Sequence, residues 1–237
     1  SVNAHTVPKW YEDCKFGIFI HWGIYSVPAF APHTWELGEV DSKEWFADNP
    51  YAEWYYNSLN IGKGPTYKHH IEKYGKDFKY EDFIPMWKAE NWDPKQWAEI
   101  FKEAGAEYVV LTTKHHDGFC MWPTKWTDHN ISRSPYKGGK GDLIREVSAA
   151  CRELDMKFCI YLSPWDMHEK SFGTEKYNDF YVKQLEELLT NYGPVYLLWF
   201  DGAGVDSKVN GKQTPFDWER IFKKARELQP DLSLIHI

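Results

Sequence analysis

Residues 195–203 read VYLLWFDGA, an apolar run that ends abruptly in a carboxylate and two small residues. As a strand it is expected to be buried on both faces as far as Phe200, as strands of a parallel sheet usually are, and to present Asp201 at its carboxyl end. That edge is where α/β folds place their chemistry. The alternative is that Asp201 only opens a turn before Gly202, a position that suits a short hydrogen-bonding side chain.

Three other apolar runs end in the same manner. KFGIFIHWG at 15–23 exits at His21, and YVVLTT at 108–113 exits into KHHDGF at 114–119. KFCIYL at 157–162 exits at Ser163-Pro164-Trp165-Asp166. Between them the spacing predicts helices over 51–59, 66–73, 80–87, 94–104, 142–154 and 175–192, and a last one from Asp217 to Leu228. Asp93 and Asp142 are the expected N-caps, and Pro94 sits at a first helical position, where its missing N–H costs nothing. The stretch from Pro28 through Pro32 to Trp45 reads as a long surface connection of the kind that carries function.

Strand and helix in alternation predict a parallel β/α protein. A closed (β/α)8 TIM-like barrel fits better than a doubly wound sheet, because no Gly-rich phosphate loop follows the first strand. Four clear strands in 237 residues are only half of a barrel that typically takes roughly 250. The expectation is therefore an incomplete barrel, its first half to two-thirds, over residues 1–231. The closing hexapeptide LSLIHI, 232–237, is similar to the in-frame translation of a sequencing adaptor and is read as a non-native tail, the alternative being a genuine short strand.

Composition narrows the partners. With 13 Trp, 15 Tyr and 14 Phe, aromatics make up 18% of the chain, and aromatic faces suit the C–H faces of sugar rings as well as a packed core. A net charge of -7 with no basic stripe argues against nucleic acid. No apolar run approaches the roughly 18 residues of a membrane span. Cys14, Cys120, Cys151 and Cys159 lack the spacing of a zinc knuckle or a disulfide framework. No signal-peptide pattern opens the chain, and a secreted, periplasmic or lysosome-like location is left open.

If the barrel holds, His21, His115, His116, Tyr161 and Asp201 leave four strands on one face. Two chemistries want such a set. Metal-assisted hydrolysis would use the histidines and a carboxylate as ligands, but a His-x-His on the first strand is missing, since Trp22 and Gly23 follow His21. Glycoside hydrolysis would use a strand-end carboxylate, with His, Tyr and Trp holding the sugar, and the abundance of Trp favours it.

HWGIYSVP at 21–28, AEWY at 52–55, KHHDGF at 114–119 and LWFDGA at 198–203 resemble the signatures of retaining α-L-fucosidases, glycoside hydrolase family 29. The resemblance runs from about Trp10 to Asp231. It implies a β/α barrel followed by a C-terminal β-sandwich, an exo-acting retaining mechanism on fucosylated glycans, and neither cofactor nor metal. Asp201 would be the nucleophile, and His21, Glu53, Trp54, His115, His116 and Tyr161 would line the fucose pocket. The family's acid/base glutamate lies well downstream of its nucleophile, so it is expected beyond Ile237, with the sandwich; Asp166, Asp117 and Glu36 are weaker internal candidates. The chain alone is expected to have little or no hydrolytic activity. The front half resembles the broad-specificity branch of the family, whereas YLSPWD at 161–166 and GKGDLIREV at 139–147 resemble the branch acting on α-1,3/4-linked fucose. Oligomeric state is not legible. The competing readings are a metal-dependent barrel hydrolase and a fucose-binding fragment without catalysis.

Overall fold

The computed structural model describes residues 7–33, 42–202, 208–209, 212–213 and 215–236. Strands β1 (Gly17–Ile20), β2 (Tyr108–Lys114), β3 (Lys157–Leu162) and β4 (Leu197–Phe200) pair in parallel, and β7 (Ser233–His236) joins the free edge of β4. A separate antiparallel pair is formed by β5 (Lys208–Val209) and β6 (Lys212–Gln213). Helices are α1 (Lys9–Asp13), α2 (Ser42–Trp45), α3 (Tyr55–Asn60), α4 (Pro65–Tyr74), α5 (Pro94–Glu103), α6 (Leu143–Glu153), α7 (Lys176–Asn191) and α8 (Trp218–Leu228).

The main sheet runs β1-β2-β3-β4-β7 with every strand parallel and no reversal of order. A doubly wound sheet must reverse to put helices on both faces; a barrel adds each strand on the same side. The fold is thus the incomplete β/α barrel that the sequence predicts. The helix starts are chemically explicit. The Asp93 carboxylate accepts from the backbone N–H groups of Lys95 and Gln96 at 3.0 Å, and Asp142 and Asp217 accept from Arg145 and Arg220 at the same distance.

Each strand has two faces because successive side chains alternate. Val109, Leu111, Phe158, Ile160, Leu162, Leu198 and Phe200 belong to the large core under the helices, where each fully buried side chain contributes roughly 1.5–3 kcal/mol. Val110, Cys159, Tyr161 and Leu197 form a second, smaller cluster on the concave face, joined by Trp10 and Tyr11 of α1, Tyr108 and Trp199. Trp10 packs edge-on against Tyr108 and Tyr196 at the amino ends of β2 and β4, so α1 closes that end of the barrel.

Three readings change. Burial of the 195–200 run on both faces fails at Tyr196, which is 37% exposed, and at half-buried Trp199, and Phe19 on β1 is 39% exposed. The described strands do not close round the concave face, so Phe19 and Trp199 keep contact with solvent. The helix expected at 80–87 is a 3₁₀ segment, Tyr80–Met86, in keeping with Pro85, which cannot donate an α-helical hydrogen bond. The helix expected at 51–59 is broken into a 3₁₀ turn, Ala52–Trp54, and α3. Residues 233–236, set aside as a tail, pair in register with β4 from Leu197↔Ser233 to Phe200↔His236. Any short apolar segment delivered there by α8 meets an open strand edge, so the pairing carries no weight on the origin of the hexapeptide.

Candidate active site

The site begins with an irregularity in β2. Thr112 pairs with Tyr161 and Lys114 with Leu162, so β2 carries one residue more than β3 over that step. Such a bulge reverses the alternation of side chains beyond it. Lys114 therefore follows Leu162 toward the helices, where its ammonium donates to Asp166 at 3.0 Å, Tyr177 at 3.2 Å and Gln184 at 3.0 Å. His115 turns to the concave face and stacks on Tyr161 of β3, ring centres 5.6 Å apart and planes within 1°.

The other exits converge on the same point. Thr112 Oγ1 donates to the carbonyl of Ile20 and accepts from the backbone N–H of Trp22, clamping the chain on both sides of His21. The His21 ring lies 5.3 Å from His115 and 5.4 Å from Tyr161, and its Nδ1 is 3.6 Å from Glu53 Oε1. Tyr161 Oη donates to Asp201 Oδ2 at 2.8 Å. Burial pushes the Tyr161 hydroxyl well above its ordinary value, and the neighbouring Asp201 charge adds to this, so it remains a donor. Trp54 packs edge-on against His116 at 4.6 Å. All seven residues singled out for the pocket thus meet at one end of the sheet.

His116 has a defined tautomer. The Ser163 hydroxyl donates its only proton to the Trp165 carbonyl, so at 2.6 Å from His116 Nδ1 it accepts the ring N–H. Desolvation holds His116 down to about 3, and the ring is neutral. Its Nε2 is then a lone pair 3.9 Å from Asp201 Oδ2. Each of these two acceptors can take the proton of a separate ligand hydroxyl. His115 is driven well below its ordinary value, mainly by burial, and its buried Nδ1 has no hydrogen-bond partner among the described residues. Burial also lowers His21, while Glu53 and Asp201 partly offset it.

Gly202 follows Asp201 at φ +79°, and a Cβ there would stand 3.1 Å from His116 Cε1. Both the conformation and the space require glycine at the foot of the carboxylate.

The weaker acid candidates point elsewhere. Asp166 is buried against Lys114; burial alone would raise its carboxyl, but that ammonium and the backbone N–H groups of Glu169 and His168 hold it below its ordinary value. Asp117 is buried, accepts from Tyr80 Oη at 2.7 Å and from Phe119 N, and is pushed up to about 7 by desolvation. Glu36 lies outside the described residues. Sequence reading missed Ser163 and Trp165 as pocket residues, although both stand in the SPWD exit of β3; Trp165 packs 5.3 Å from His116 and 5.4 Å from Trp54.

Neutral imidazoles, a tyrosine hydroxyl, carboxylates and tryptophan faces converge on one small volume and can grip several hydroxyl groups and an apolar ring face at once. Two ligand-spaced triads, His21–Glu53–His115 and His115–His116–Asp201, fall within the same set. No helix among the described residues is long and apolar enough to cross a membrane.

A family model described as Alpha-L-fucosidase matches residues 1–235. Human plasma alpha-L-fucosidase is 35% identical over 216 residues, which cover 86% of this chain and 41% of that protein. A Thermotoga maritima alpha-L-fucosynthase solved with alpha-L-Fuc-(1-2)-beta-L-Fuc-N3 is 43% identical with a TM-score of 0.81, over 99% of this chain and 55% of that one. Thermotoga maritima alpha-fucosidase in complex with fucose is 40% identical with a TM-score of 0.78, over 99% of this chain and 54% of that one. The chain therefore spans less than half the length of the human relative and little more than half of the bacterial ones.

Proposed function

Because the chain belongs to the α-L-fucosidase family, we propose that it carries the nucleophile and the near half of the sugar pocket of a retaining exo-fucosidase. The observation that supports this most directly is the 2.8 Å bond from Tyr161 Oη to Asp201 Oδ2 beside the neutral, oriented His116. In the first step an Asp201 oxygen forms a bond to the anomeric carbon as the bond to the leaving oxygen breaks, and an acid protonates that oxygen. In the second step the same acid, now a base, takes a proton from water, which attacks the anomeric carbon and releases Asp201 and fucose. The Tyr161 hydroxyl donates to Asp201 in the resting site and lets go as charge moves onto the sugar.

His21, His115, His116 and Glu53 bind ring hydroxyls, with Trp54 against the ring. Contacts that tighten as the ring flattens lower the barrier. Asp117 and Asp166 are both committed to buried partners, which leaves the acid/base role to the glutamate that the family resemblance puts outside residues 1–237, and residues 1–237 by themselves are expected not to turn over unactivated glycosides. The substrate is terminal α-L-fucose on a glycan, of undecided linkage. The plasma relative's name favours a compartment outside the cytosol.

A fucosyl fluoride bearing fluorine at C2 tests the assignment, because fluoride leaves without a proton and the fluorinated intermediate is hydrolysed slowly. Incubation with the chain should give one covalent sugar on Asp201 by peptide mapping. Asp201→Ala should lower labelling by on the order of 10⁴-fold, about 5 kcal/mol. Labelling that survives this change rejects Asp201 as the nucleophile. Fucose binding by a chain that is never labelled would leave a binding module.

A further inference from the structure

A third cluster of ligating side chains lies apart from the sugar pocket. Glu81 comes from the 3₁₀ segment Tyr80–Met86, His129 from the connection between β2 and α6, and His168 from the connection between β3 and α7. One ligating atom from each lies within 4.8 Å of the others. We propose that Glu81, His129 and His168 bind a divalent transition ion of the zinc type, which staples these three connections together.

The strongest observation is His129. Its ring is fully buried, yet neither nitrogen makes a hydrogen bond of normal geometry among the described residues. A buried ring nitrogen left without a partner is costly, so this imidazole calls for a ligand. The Asp117 backbone carbonyl lies near this imidazole. Histidines that bind metals commonly direct the second ring N–H at such a carbonyl, leaving the first nitrogen for the ion.

The neighbours are arranged for the same purpose. The His168 ring stacks on His129 at 3.7 Å with planes 5° apart, and its Nε2 is 3.8 Å from Glu81 Oε1. Asp166 Oδ1 accepts the backbone N–H groups of His168 and Glu169, which fixes the connection that carries His168. At Gly118, φ +74°, a Cβ would fall 2.9 Å from His168 Cβ and 2.3 Å from Asp166 Oδ1, so glycine is what lets the two connections lie this close.

Two imidazole nitrogens and one carboxylate oxygen suit zinc, cobalt or iron rather than magnesium or calcium, which take oxygen ligands. With bonds of 2.0–2.1 Å, tetrahedral ligand atoms stand about 3.3 Å apart, so binding requires the cluster to tighten by about 1.5 Å at most. Stacked parallel rings cannot aim both lone pairs at one ion. His168 must leave the stack, and it can, because its side chain is 28% exposed and that of Glu81 is 31% exposed. The fourth position then faces solvent.

Cobalt reports its own coordination through its visible spectrum. The chain, stripped with chelator and dialysed, should bind one Co²⁺ with Kd below about 10 µM and a visible absorption of four-coordinate type, and one Zn²⁺ should displace it. Zn²⁺ at about 100-fold excess over Kd should raise Tm by about 5 °C. His168→Gln and Glu81→Gln, both outside the core, should each weaken binding at least about 10-fold with an unchanged far-ultraviolet spectrum, whereas Glu53→Gln in the sugar pocket should leave it intact. Failure of the unmodified chain to bind Co²⁺ below about 100 µM overturns the proposal. So does binding that both variants retain, or that Glu53→Gln abolishes.

Discussion

Lys114 and His115 are adjacent in the chain and almost equally buried, at 0% and 3% exposed, but their surroundings are opposite. Lys114 has three hydrogen-bond acceptors and lies over the Tyr177, Phe180 and Tyr181 rings. His115 Nδ1 has none among the described residues. Burial does not separate the two; satisfaction does. A buried polar group with every partner supplied by its own chain holds the fold, and one whose partners are missing is shaped for something else.

The largest test of that contrast removes the satisfied member. Lys114→Met leaves Asp166 as a buried carboxylate without its counter-ion and should cost about 3–5 kcal/mol in urea denaturation. A loss below about 1 kcal/mol would mean that the pair does not hold the exits of β2 and β3 together. Next in size, Tyr161→Phe removes a charge-assisted bond to Asp201 and should slow covalent labelling by the fluorinated fucosyl fluoride about 10–100-fold, with Tm nearly unchanged. An unaltered labelling rate would make that bond incidental.

Acid provides a third test. His116 and His129, each held at about 3 against an ordinary 6.5, and His115, also held well below it, stay neutral in the fold. Below pH 6.5 the unfolded chain binds protons that the fold does not, so stability falls as pH drops toward 3. At pH 5 a ring held at about 3 costs about 2 kcal/mol. Asp117 has the opposite sign: raised from 3.8 to about 7, it is protonated in the fold first and favours folding as pH falls from 7 toward 4. These depressed rings outweigh the raised Asp117 carboxyl, so Tm should drop between pH 7 and pH 5, and His116→Asn should reduce that drop. A Tm flat over this range would contradict the burial of these rings. The smallest effect is the most diagnostic. His115→Phe removes an unpartnered nitrogen and should leave stability unchanged or raise it by about 1 kcal/mol, while fucose affinity measured by calorimetry is lost. Marked destabilisation would place His115 with Lys114 among the groups that hold the fold.

Much of the site was legible from local pattern. The apolar runs, the Asp93 and Asp142 caps and the polar residues at four strand exits are written within a few residues of one another, and the β/α order follows from them. Ser163 and Trp165 were harder to read, because their roles depend on the His116 ring, which comes from another strand. Glu81, His129 and His168 leave no local signature; only packing of three connections brings them within reach.

VYLLWFDGA by itself determined an apolar strand that stops at Asp201, and left open whether that carboxylate serves a turn or a site. The tertiary structure decided which groups face that carboxylate. The direction of Lys114 and His115 is set by one extra residue in the pairing of β2 with β3. Register between strands separated by a helix is a long-range property that neither strand encodes alone. The same sequence without the bulge would turn the lysine toward the pocket and the histidine toward the helices.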